Sequence, residues 1–96
     1  MITKTYFKTK DYCKVKFSYK PEQAETVEVL GLNKDWNKGL FLKKKKDGTF
    51  SGEINLPKNS QHQFKYLINE TDWVNDEAAD GLTMNEFGGL NCLINL

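Results

Sequence analysis

Residues 61–74 read QHQFKYLINETDWV. Phe64, Tyr66 and Ile68 share one parity, so a strand here turns three large anchors toward a core. Gln63, Lys65 and Leu67 then face the other way. The polar stretch 69–72 predicts a turn that brings the chain back with Trp73. One segment thus supplies a core-facing side and, on its reverse, a cation near an indole. Function is expected on that reverse face.

The flanks repeat the strand pattern. Residues 49–56 alternate through Phe50, Gly52, Ile54 and Leu56, and 57–60 turn the chain into the central segment. Asp47-Gly48 is a hairpin signal, because glycine tolerates positive φ, and it follows a strand expected over 40–46. Residues 26–32 place Val27, Val29 and Gly31 on one parity and Leu30 and Leu32 on the other, as in a strand covered on both faces. Residues 11–19 alternate Cys13, Val15, Phe17 and Tyr19 with lysines and Ser18, as a strand with one wet face does. Residues 3–9 alternate weakly and read as an edge strand or a leader. Downstream, the acidic stretch 75–82 reads as a loop or at most one helical turn, and 85–89 as a bend. Residues 90–96 read as a closing strand with Leu90, Cys92, Ile94 and Leu96 inward and Asn91, Leu93 and Asn95 outward. About seven short strands separated by polar turns describe an all-β fold, an immunoglobulin-like β-sandwich. The Cys-Trp-Cys spacing of true immunoglobulin domains is absent, so the likeness is one of architecture.

Composition narrows the function classes. The 96 residues form one domain with an ordinary apolar share, 39%, and a generous aromatic one, 12%. The net charge is only +1, yet residues 1–65 carry all fourteen lysines against seven acids, and 66–96 carry six acids and no base. There is no arginine, which weakens a nucleic-acid reading, since base readers rely on guanidinium forks. The Lys43–Lys46 run, followed at once by Asp47-Gly48, reads as a solvated hairpin end. Cys13 and Cys92 make no disulfide framework and no CxxC, and read as small buried hydrophobes or free thiols. MITKTYFKTK has no apolar leader pattern and no window suits a membrane span, so a soluble, cytoplasmic protein is expected.

Catalytic constellations are weak. His62, the single histidine, sits beside the 57–60 turn and reads as an exposed polar residue. No GxSxG elbow accompanies it. Asp72, Asp76, Glu77 and Asp80 miss the EF-hand spacing and read as a solvated acidic loop with no metal. Asn69-Glu70-Thr71 matches a glycosylation sequon, which matters only in a secreted eukaryotic setting. No enzyme activity and no cofactor are expected.

Trp36, Trp73, Lys65 and Asn91 suit a neutral, hydroxyl-rich ligand. A sugar ring has an apolar C–H face and a polar rim. An indole offers a flat surface to the first, and an ammonium and a carboxamide hydrogen-bond the second. Two indoles each covering ~100 Å² at ~25 cal/mol/Å² yield about 5 kcal/mol before costs. Association consumes about 4–15 kcal/mol, so weak binding to a short oligomer and firmer retention on a polymer are expected. Trp36, within NKDWNKG at 33–39, either folds back as a lid on the core or stands out for a ligand.

The segments LGLNKDWNKG (30–39), DGTFSGEINLPKNSQHQFKYLINETDWVNDE (47–77) and EFGGLNCLINL (86–96) resemble the glycogen-binding domain of the AMP-activated protein kinase β-subunit. The wider group is carbohydrate-binding module family 48, the isoamylase N-terminal-like domains. The resemblance covers residues 14–96 and leaves 1–13 as an N-terminal strand or extension. It implies a β-sandwich that binds α-1,4-linked glucan. The stacking tryptophans fall on Trp36 and Trp73, the lysine on Lys65 and the asparagine on Asn91. The family's wedging leucine falls on Phe87, and its nearby threonine on Gly89, where a side-chain hydrogen bond is lost. Some members only dock onto a catalytic domain or a partner subunit, a kinase-like chain or a glucan-active enzyme. That docking role is the alternative reading.

Overall fold

The computed structural model describes residues 1–96, and its regular secondary structure is almost wholly strand. In chain order these are β1 (Ile2–Tyr6), β2 (Tyr12–Tyr19), β3 (Val27–Leu30), β4 (Leu40–Phe41), β5 (Lys43–Lys44), β6 (Phe50–Pro57), β7 (Gln61–Ile68), β8 (Asp72–Val74), β9 (Gly81–Met84) and β10 (Leu90–Asn95). A single 3-10 turn spans Leu32–Lys34. One sheet runs β1-β2-β6-β5; the other runs β4-β3-β7-β10-β9, with β8 also pairing β7. All pairings are antiparallel, and the expected β-sandwich is the fold. No helix is long and apolar enough to cross a membrane.

Alternation in β7 builds the centre. Phe64 and Tyr66 are fully buried and Ile68 nearly so, while Gln61 and Gln63 are exposed. Phe17 of β2 meets Phe64 edge-on at 5.3 Å and Tyr66 at 6.4 Å. Val15, Val27, Val29, Phe50, Leu56, Cys92 and Ile94 complete the layer. Each such side chain contributes about 1.5–3 kcal/mol over its exposed state. The one hydroxyl this deep in the core, that of Tyr66, donates to Asp76 Oδ2 at 2.6 Å, since a buried polar group without a partner is costly. Cys13 and Cys92 are both buried and free, as expected.

Several elements differ from the sequence reading. The strand expected over 40–46 splits: β4 pairs β3 in one sheet and β5 pairs β6 in the other, with buried Leu42 between them. Alternation marks burial, but not the change of sheet. The 26–32 strand ends at Leu30, because Gly31 takes φ 101° and starts the 3-10 turn that buries Leu32. The edge strand near the N-terminus is Ile2–Tyr6, paired along its whole length with β2. The loop expected over 75–82 gives way to β9 at Gly81. Leu82 and Met84 lie on the same face as Cys92 and Leu90 but are exposed, so the strand adds little to the core and is held by backbone pairing to β10. In β10, Cys92 and Ile94 point inward as expected, but Leu90, paired with exposed Met84, is itself exposed. The Lys43–Lys46 run is exposed and ends in the expected turn, where Asp47 Oδ1 accepts the Thr49 N–H.

Candidate functional site

The outward face of the β7 sheet gathers the candidate residues. On one edge, β7 pairs β3 along Lys65–Ile68. The opposite edge is shared: β10 lies beside Gln61–Phe64 and β8 beside Tyr66–Ile68. Lys65 stands at that fork, and its Nζ donates to the Leu90 carbonyl at 2.6 Å. Asn75 Nδ2 donates to the same carbonyl at 3.1 Å. The ammonium is thereby fixed in place with donor capacity remaining.

Trp73 stands on β8 opposite Leu67. A tight turn with Asn69 and Glu70 at φ 52° and 62° aims that strand back along β7. Asn69 Oδ1 accepts the Glu25 and Thr26 N–H groups, which ties the turn to the start of β3.

Trp36 arrives from the other side on the turn after β3. Three successive features shape that turn: Gly31 at φ 101°, and Asn33 and Lys34 at φ 57° and 62°. The Trp36 ring lies against Gly31, where an added Cβ would come within 2.6 Å of Cζ2 and also of the Gln63 carbonyl oxygen. Only glycine fits that position, on both φ and space. Asp35 Oδ1 accepts the Asn37 and Lys38 N–H groups and closes the turn.

His62 braces the turn from below. Its Nδ1 accepts the Asn33 N–H at 3.2 Å and its Nε2 lies 2.9 Å from Ser60 Oγ. Burial pushes its pKa down, which favours the neutral imidazole that the Asn33 bond requires. The expectation of an exposed histidine is thus corrected: the side chain is half-buried and structural.

The two indoles meet at 6.3 Å between centroids, tilted by 60°. Trp36 is 38% and Trp73 49% exposed, so Trp36 stands out from the core and does not cap it. Both line one open groove of about 810 Å³ together with Lys65, Phe87 and Asn91. Phe87 is 89% exposed at the tip of the bend after β9. That bend is closed by Asn85, whose Oδ1 accepts the Phe87 and Gly89 N–H groups.

Asn91 differs from expectation. It points outward by parity, yet it is only 6% exposed. Its Oδ1 accepts from Asn85 Nδ2 at 3.1 Å and its Nδ2 donates to Gln63 Oε1 at 3.0 Å. A chain of three carboxamides thus runs from the Phe87 bend to β7, and the open end of it is Gln63. The sequence reading missed Gln63, Met84, Asn85 and Glu86, which also line the groove. Gln63 shares the outward parity of Lys65, and that was the available signal.

The acidic stretch is also more engaged than a solvated loop. Burial opposes the Asp76 charge, but hydrogen bonds from the Tyr66 hydroxyl and the Ala78 N–H prevail and hold its carboxyl below 3.8. Asp80 accepts from Lys4 Nζ at 2.6 Å and the Asn95 N–H at 2.7 Å. No three His, Cys, Asp or Glu side chains cluster as metal ligands.

The groove therefore offers flat apolar surface, one ammonium and amide groups, with Glu86 as its one carboxylate. The family model for the glycogen recognition site of AMP-activated protein kinase matches residues 13–96. The chain belongs to that family. A glycogen recognition domain is a non-catalytic carbohydrate-binding module, and glucan polysaccharide is the class of ligand this membership carries. No curated protein matches the chain.

Proposed function

We propose that the groove binds α-1,4-linked glucan (glycogen, starch or maltooligosaccharide) by stacking sugar on Trp36 and Trp73. Lys65 hydrogen-bonds the hydroxyl rim, Phe87 packs on the far side of the sugar, and Asn91 holds Gln63 in position for the rim. The observation that carries this reading is the pair of exposed indoles 6.3 Å apart in one groove. An indole face suits the C–H face of a pyranose, and fixed amides and an ammonium suit its hydroxyls. Electrophoresis in native gels containing glycogen or amylopectin tests it. The expected result is retardation by polymer that Trp73→Ala and Trp36→Ala relieve. Mobility unaffected by polymer refutes it.

A docking role is a second reading, favoured by Leu82, Met84 and Leu90, which are 54%, 75% and 41% exposed along the β9–β10 edge. On this reading the module seats on a catalytic domain or a partner subunit, kinase-like or glucan-active. Co-purification of a stable companion, lost on Leu82→Lys and kept on Trp73→Ala, supports it. A strictly monomeric protein without a companion counts against it.

A further inference from the structure

We infer that the glucan groove continues past Trp36 into a second sugar subsite, formed by Asn33, Gln61 and Gln63 against the back of the indole. This rests on the glucan-binding reading above. A second hollow, of about 670 Å³, opens beside the first, and Trp36 and Gln63 line both. Trp36 is therefore a partition between two depressions and not the end wall of one. A ligand lying over Gln63 passes from one hollow into the other.

The chemistry of the second hollow selects a neutral polyol. Its only large apolar surface is Trp36, and its only charge is Lys34; no carboxylate lines it. Gln63 has its Oε1 taken by Asn91, which leaves its Nε2 to donate. Gln61 spends its Nε2 on Asn95 Oδ1 at 2.7 Å, which leaves its Oε1 to accept. Asn33 presents an exposed carboxamide from a left-handed turn position. His62 has both ring nitrogens occupied by Asn33 and Ser60 and serves as wall. Donors and an acceptor with opposite free ends around one flat ring match the alternating hydroxyls of a sugar. The volume falls within the roughly 300–1,000 Å³ usual for small-ligand clefts.

The test compares maltotriose with maltoheptaose by calorimetry, for the native chain and for Asn33→Gly with Gln61→Ala. Glycine at 33 removes the carboxamide while keeping the left-handed backbone and the N–H that His62 holds. Losing two hydrogen bonds lowers maltoheptaose affinity about 5-fold to 150-fold. Maltotriose, held by the stacking pair, is expected to bind the variant as it binds the native chain. His62 is the only histidine, so its ring signals report on this hollow without overlap in NMR, and they are expected to shift with maltoheptaose and not with maltotriose. An unchanged ratio of the two affinities in the variant, with silent His62 signals, overturns the second subsite and leaves the first groove standing. Failure of both sugars and of glycogen to bind overturns both readings.

Discussion

Replacing Trp73 by alanine separates binding from folding most cleanly. The side chain is 49% exposed, which on a ring system of roughly 150–250 Å² leaves about 75–120 Å² open to a ligand. One-sided stacking covers about half of that, worth about 1–1.5 kcal/mol at ~25 cal/mol/Å². A short maltooligosaccharide should therefore bind about 5-fold to 12-fold more weakly. On glycogen the loss is multiplied, because retention there depends on repeated engagement of a weak site. The fold should hold, since Trp73 lies outside the buried core and its ring neighbour is Trp36, itself partly exposed. Calorimetry with maltoheptaose and urea unfolding of the same preparations check the two halves. Undiminished affinity refutes the stacking argument. A urea midpoint that falls steeply refutes the claim that this indole serves ligand and not core.

Gly31→Ala is expected to destabilise the domain by more than the ~1–2 kcal/mol of left-handed strain, because the new Cβ meets the rigid Gln63 carbonyl at 2.6 Å. Tryptophan fluorescence should change with it, as the Trp36 ring is pushed from its seat. Tyr66→Phe removes a hydrogen bond to a charged, buried carboxylate and should cost about 1.5–3 kcal/mol at pH 7 by urea unfolding. Asp76 is held below 3.8 in the fold, so its contribution is complete above that value and is lost as pH falls through the lower folded value. The difference between Tyr66→Phe and the native chain should accordingly shrink as pH drops below about 3.8. Asn85→Ala releases the Phe87 bend and one end of the carboxamide chain. It should cost about 1–2 kcal/mol of stability and weaken glucan binding, both measurable on one preparation; full affinity in this variant would show that the chain does not position Gln63.

The strands that proved legible are those whose side chains divide cleanly between core and water. Phe64, Tyr66 and Ile68 in β7 and Val15 and Phe17 in β2 announce their faces by parity alone, and all lie in the core. Residues 40–44 concealed a change of sheet, because Leu40 and Leu42 pack on the same core whichever sheet their backbones join. β9 was hidden because it is only four residues long and follows an acidic stretch; Leu82 and Met84 share the sheet face of Cys92 and Leu90, yet stay exposed. Within the groove, Lys65 was legible as a cation at an outward position and the indoles as large rings in or beside turns, while the direction of Trp36 stayed open. Asn91 was legible as polar, but its burial under Asn85 and its bond to Gln63 depend on how the bend after β9 folds over the sheet. Sequence order alone does not contain that closure.

Trp73 rides on a strand pinned to β7, whereas Trp36 rides on an irregular turn between Gly31 and Gly39. One ring is bolted to the chassis and the other sits on an adjustable arm. Changes confined to the exposed part of that arm, beyond Leu32 and short of Gly39, would alter the gap between the rings while Leu32 stays in the core. On the glucan-binding reading proposed above, the spacing of sugar rings that the pair accepts would follow that gap, a handle for variants directed at polysaccharides of different repeat.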